Sequence, residues 1–364
     1  MKKLILIILL IIISINIFSV TACATEIDYD DVWNEIDNET KKYLNDLGIN
    51  EISFEDLFDL SPTRVIEFLF DLSFNSGVKI FQNIVLVVAI LFIVSITSAF
   101  LKESDRVYNI ICFVGVLTLL SVILVPISRI ITDVATGIKT SMVFVNSYLP
   151  IMTAIIVASK NPALAITYNS FSIFLSSIIT TVADKIFMPL VSSLLSFNIL
   201  SSFSFENFRE RIVAGFRRCI VVILALFSTV YTGLLTTQSI LASSSDSLAL
   251  RGIKFISGAF VPVVGAGVGD ALSSVFSSFM IMKNTLGVFV IVVIILINLP
   301  VLVELLLWYF SLQVCSLISS MLGINNITDT LDSLSSVISL LNIILFFITF
   351  VLIISTGVII IMGK

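Results

Sequence analysis

The sequence predicts an all-α, polytopic helical membrane protein of about 7–9 spans, and three observations carry that prediction. Of its 364 residues, 58% are hydrophobic and only 12% are charged, beyond what a water-facing surface tolerates. From residue 78 onward, apolar runs of span length follow one another, cut by short polar marks. Lysine and arginine gather in alternate connections between those runs, as the positive-inside rule expects.

The N-terminus reads as an address. Met1-Lys2-Lys3 precedes an apolar run from Leu4 to Val20 and then Thr21-Ala22-Cys23-Ala24, the order of a secretory signal peptide, assigned to residues 1–24. Ala22-Cys23-Ala24 fits release before Thr25, Val20 to Cys23 forms a loose lipobox that would acylate Cys23, and an uncleaved anchor is the third reading. All three put the following segment outside the cytoplasm.

That segment, residues 25–77, is the acidic one: 14 of the 25 acidic residues fall in 25–80, against four basic ones. Its charge disfavours nucleic acid and anionic lipid and suits a solvated cap or a protein-docking face. Ile49, Ile52, Phe54, Leu57 and Phe58, then Val65, Ile66, Leu69 and Phe70, recur at helical spacing, which predicts two short amphipathic helices split at Ser61-Pro62. We read them as a helical lid packed on the chain's own membrane domain, residues 78–364.

The expected spans are Val78–Leu101, Val107–Ser128, Ser141–Ser159, Ala163–Ala183, Ile186–Phe203, Cys219–Ala242, Asn284–Phe310 and Ser336–Met362. With residues 25–77 outside, their alternation places Lys102, Arg106, Lys160 and the cluster Arg209, Arg211, Arg217 and Arg218 in the cytoplasm. The arginine cluster lies in an amphipathic basic stretch suited to the anionic inner leaflet. Cys112, Cys219 and Cys315 read as small packing residues.

Residues 248–283 do not read as an ordinary span. Gly252, Gly258, Pro262, Gly265, Gly267 and Gly269 crowd one stretch, each interior glycine costing roughly 1 kcal/mol and the proline removing a hydrogen bond. A broken or re-entrant element near 255–281 follows, facing the protein interior, where its freed backbone groups find partners. A tilted span whose glycines let helices pack closely is the alternative.

Gly267-Val268-Gly269-Asp270 spells the Gly-x-Gly-Asp of intramembrane aspartyl proteases, but that chemistry needs a second carboxylate, and Asp270 has no evident partner in the sequence. The chain holds no histidine, which removes the usual general base and the commonest metal ligand. No phosphate-binding loop of the G-x-x-x-x-G-K-[ST] type occurs either. The expectation is a protein without enzymatic activity, cofactor or metal.

The same stretch resembles a specific family. Lys254-Phe255 through Gly258 and Pro262, then Gly265, Asp270-Ala271 and Lys283-Asn284-Thr285-Leu286-Gly287, are similar to the signature region of the stage III sporulation protein AE family. The resemblance extends through the signal peptide, residues 147–159 and the final span, and is weakest over 25–75. It implies a subunit of the channel complex connecting mother cell and forespore, placed in the mother-cell-derived outer forespore membrane. Its partners would be other stage III sporulation membrane proteins and a separate ATPase.

A secondary permease for a small solute is the alternative function, and ionisable residues near mid-membrane discriminate the two. Glu304, beside Trp308, and Asp270, with Arg251 or Lys254 in reach of it, are the candidates for deep positions. The candidate functional residues are therefore Lys254, Gly258, Pro262, Gly265, Asp270 and Glu304.

Overall fold

The computed structural model describes residues 30–53, 56–57, 62–100, 106–158, 162–201, 214–231, 233 and 265–361, with only the backbone described over 265–276. Two short helices come first, α1 (Asp30–Asn34) and α2 (Asn38–Leu47), followed by α3 (Pro62–Ala99) and α4 (Arg106–Ala158). Next come α5 (Pro162–Val182), a π-helical turn (Ala183–Phe187), α6 (Met188–Ser201) and α7 (Ala214–Tyr231). The chain closes with α8 (Gly265–Met321) and α9 (Asn325–Ile361). No strand occurs among the described residues, and six of these helices, with α5 and α6 counted as one, are long and apolar enough to cross a membrane. The all-α polytopic class stands.

Several expected spans fuse. The segments 107–128 and 141–159 belong to one helix of 53 residues, about 80 Å at 1.5 Å per residue and more than twice a hydrocarbon core of about 30 Å. The alternation that put Lys102, Arg106 and the Lys160 connection on one side is therefore corrected, because the two ends of α4 are opposite ends of a single rod; residues 102 and 160 themselves lie outside the described residues. The physical reason is that Arg129 and Asp133, taken as an end-of-span mark, sit four residues apart and pair at 3.5 Å on one helical face, which supports a helix instead of ending it. Asp184-Lys185 likewise falls inside the π-helical turn and breaks nothing. Pro189, in the first turn of α6, has no amide hydrogen to donate to the carbonyl of residue 185, and the π turn takes up that defect.

The described part of the expected break, residues 265–281, is unbroken helix. Gly265, Gly267 and Gly269 lie in its first two turns, near the helix end, outside the interior positions where a glycine costs about 1 kcal/mol. The stretch 255–264, with Gly258 and Pro262, lies outside the described residues, as do Lys254, Arg251 and the signal peptide.

Close approach of helices occurs elsewhere. A Cβ on Gly287 would stand 2.6 Å from Ile360 Cγ1, and one on Gly115 would stand 2.6 Å from Val94 Cγ2, so these glycines set the crossings of α8 with α9 and of α4 with α3. Gly323, at φ +75, makes the tight α8–α9 turn: Ile324 donates back to the Ser319 carbonyl at 3.1 Å, the wrap that ends helices at a left-handed residue. Side chains pin the bundle across helices. Asn298 donates to Ser141 Oγ at 2.8 Å, Tyr231 donates to the Val351 carbonyl at 2.7 Å, and Tyr168 donates to Tyr148, itself 3.2 Å from Thr356 Oγ1. Such bonds matter where neither lipid nor a dry interior offers a substitute.

Cys112 and Cys315 are buried packing residues as expected, but Cys219 is exposed. Replacing Gly287 by leucine should destabilise the detergent-solubilised protein by about 1–3 kcal/mol through overpacking. Leucine at Gly77, where a Cβ meets nothing within 4 Å, should cost nothing. Thermal unfolding of the two variants followed by circular dichroism checks the contrast.

Candidate functional site

A cavity of about 1010 Å³ opens where α2, α3, α4 and α8 meet. Helix α3 supplies one wall through Arg64, Glu67, Asp71, Asn75 and Lys79, spaced by three or four residues and so on one face. Helix α4 supplies Arg129, Asp133, Thr136, Gly137 and Thr140 from its middle, and α8 supplies Leu296, Pro300, Val301 and Glu304. Pro300 has no amide hydrogen for the Leu296 carbonyl, so a backbone acceptor is left at the wall where both residues line the cavity. The charged lining is mixed, with seven carboxylates (Asp37, Glu39, Asp46, Glu67, Asp71, Asp133, Glu304) against Lys42, Arg64, Lys79 and Arg129. Glu304 is half-buried, held between the charges of Arg129, Asp133 and Lys79 and hydrogen-bonded with Trp308. Trp308 itself is buried, and Glu304 beside it lines the cavity.

The cover is α1–α2. The Asp37 side chain accepts from the Thr40 amide at 3.0 Å, capping α2 at its N-terminus, and Gly48 at φ +89 closes its other end, with Ile49 donating to the Leu44 carbonyl. Val32, Ile36, Leu44, Leu47 and Ile49 are buried. Trp33 stacks on Phe289 of α8 at 5.9 Å, and Tyr43 meets Phe68 of α3 edge-on at 5.4 Å. The acidic segment is thus packed on the long helices, as the lid reading expects, although its helices fall elsewhere. Residues 49–53 are not helical, and α3 starts at Pro62 as expected but runs unbroken across residues 77–78 to Ala99. Val65, Ile66 and Phe70, expected to pack inward, are exposed.

Of the sequence-derived candidates, Glu304 lines this cavity. Gly265 and Asp270 lie on the first turns of α8, more than 30 residues from Glu304 along the same helix, and Lys254, Gly258 and Pro262 lie outside the described residues. The sequence reading places Asp71 in the acidic segment and Lys79 inside the first span, and leaves Arg129 and Asp133 between two spans. The helical spacing of Asp71, Asn75 and Lys79, and of Arg129 and Asp133, was the available signal.

The Tyr43 phenol is held above its ordinary pKa by burial, by its 2.8 Å hydrogen bond to Glu39 and by the charges of Glu39, Asp37 and Asp46. A group raised in the folded state contributes its stability below the unfolded pKa, about 10 for tyrosine, and loses it as pH climbs above that value. The docked lid should therefore loosen above about pH 10, and replacing Tyr43 by phenylalanine should remove that part of the loss. The difference between wild type and Y43F in Trp33 fluorescence over an alkaline titration measures it; identical curves would remove Tyr43 from the account.

With the geometry in hand, comparison with known proteins identifies the chain's relatives. The sequence profile described as stage III sporulation protein AE matches residues 39–363. The stage III sporulation protein AE of Bacillus subtilis (strain 168) is 26% identical over 229 residues, which is 63% of this chain and 57% of that protein. This chain thus matches little more than half of that relative's length. No solved structure matches. The match over 39–363 shows that the chain belongs to the stage III sporulation protein AE family, an all-α membrane protein with a sporulation-related role.

Proposed function

We propose that this protein is a non-enzymatic integral-membrane subunit of the channel complex linking mother cell and forespore, needed for forespore development after engulfment. The match to the sporulation family across residues 39–363 is the observation that carries this reading. In it the chain sits in the mother-cell-derived outer forespore membrane, with α1 and α2 on the intermembrane side. Other stage III sporulation membrane proteins are its partners, and a separate ATPase supplies energy. The six membrane-length helices suit a subunit embedded in one bilayer, and the lid on its charged cavity gives it a surface through which a solute or a neighbour could be admitted.

A second reading has one observation in its favour. Asp71, Lys79, Arg129, Asp133 and Glu304 meet partway along long apolar helices, and charges in such places are what a self-sufficient ion- or proton-coupled permease uses.

Deleting the gene in the spore-forming host separates these readings from a role outside sporulation. The channel reading expects engulfment to finish, late forespore gene expression to fail and refractile spores to be lost, with rescue by the wild-type copy. It also expects the tagged protein to bring down single-span membrane partners and an ATPase. Normal spore counts after deletion would overturn both the channel and the sporulation role. A requirement for sporulation together with solute uptake by the purified protein alone in vesicles would favour the permease.

A further inference from the structure

Helix α3 has two distinct faces in its first half. Asp71, Asn75 and Lys79 line the charged cavity, while Ile66, Phe70, Phe74 and Phe81 point away from it and are 65%, 69%, 62% and 64% exposed. The outward strip does not stop with these four. Val85, Phe92 and Ile96 are also exposed large apolar side chains on the same helix, and at 3.6 residues per turn they carry the strip on from Phe81, so that it drifts slowly around α3 from Ile66 to Ile96. Thirty residues of α-helix measure about 45 Å, longer than the hydrocarbon core of about 30 Å but equal to a bilayer with its headgroup zones, about 40–45 Å. Lys79 falls near the middle of that length.

From this we infer that the bilayer covers the Ile66–Ile96 face of α3, and that the cavity behind it is an aqueous vestibule recessed into the membrane, with α3 as the wall between acyl chains and water. A soluble amphipathic helix buries its apolar side and shows its polar side to solvent; α3 does the reverse. Continuity decides the occupant, because Phe70, Phe74 and Phe81 belong to the same strip as Val85, Phe92 and Ile96 at the span end of the helix. Charge supports it: Lys79, Arg129 and Glu304 at mid-membrane depth are tolerated only where they face one another or water, which the cavity provides. The lid then sits at the mouth of the vestibule, where its charged surface meets bulk solvent. This placement stands apart from the channel and permease readings, since either could use it.

Spin labels on neighbouring positions of one helix test the inference at fixed depth. In full-length protein with Cys23, Cys112, Cys219 and Cys315 replaced by alanine, single cysteines go in at Phe70 and Asp71, at Phe74 and Asn75, and at Phe81 and Lys79. All six positions are outside the buried core, and circular dichroism checks that each variant keeps its helix content. The protein is reconstituted into vesicles of phosphatidylethanolamine and phosphatidylglycerol. Collision rates are then measured with oxygen, which concentrates in acyl chains, and with a nickel chelate, which stays in water. Oxygen should dominate at Phe70, Phe74 and Phe81 and the chelate at Asp71, Asn75 and Lys79, with the ratio inverting several-fold inside each pair. Equal chelate access on both faces would put this part of α3 in water. Rigid labels at Phe70 and Phe74 shielded from both reagents would put a second copy of the chain on the strip. Either result overturns the assignment.

Discussion

A charge halfway along an apolar helix has to find partners or water, and this fold answers that demand at one place. Lys79 on α3, Arg129 and Asp133 on α4 and Glu304 on α8 all line the same cavity, and the register of the three long helices follows from bringing them together. Asn298 bonds Ser141 about two turns from these charges on α8 and α4, so the neutral polar contacts lie near the charged ones. The apolar halves on either side need only pack. Glycines at the crossings and cross-helix hydroxyls do that with the side chains at hand.

The lid is a consequence of the same constraint. Without it, a cavity of about 1010 Å³ flanked by three membrane helices would lie open with its charges and Phe68, and Phe289 would lose the cover of Trp33. Packing Trp33 on Phe289 and Tyr43 on Phe68 buries aromatic surface. A segment rich in carboxylates is thereby held against a membrane domain by aromatic contacts.

How much of this was legible in the sequence differs from part to part. Helical class and membrane character follow from composition, whereas the periodicity read over 49–70 did not place the helices of the acidic segment, which lie at 30–34 and 38–47. The final helix contains the expected run from Ser336 but begins eleven residues earlier at Asn325, just after the turn at Gly323. Where the reading failed, it treated charge as punctuation. Arg129-Asp133 and Asp184-Lys185 interrupt apolar runs in one dimension, yet at helical spacing they are a stripe or a bulge within a rod. Glycine density pointed to 252–269, most of which lies outside the described residues, and gave no hint of Gly287, inside an otherwise ordinary span, where a Cβ would stand 2.6 Å from Ile360 Cγ1. That approach depends on Ile360, more than 70 residues away, which no local pattern contains. Of the site, Glu304 could be picked out as a lone deep carboxylate; its partners could not, since their convergence is tertiary.

The most direct test of the account is the distance between the two ends of α4, because the whole register of charges depends on that helix passing unbroken through the middle of the protein. Spin labels on cysteines replacing Val114 and Val157, both exposed, are 43 residues apart on α4, and pulsed double-resonance spectroscopy in vesicles reads their separation. A continuous helix places them about 65 Å apart at 1.5 Å per residue. A separation near 10 Å, the spacing of antiparallel neighbours, would mean that the chain turns back between Arg129 and Lys139, and the shared charged cavity would be lost with it.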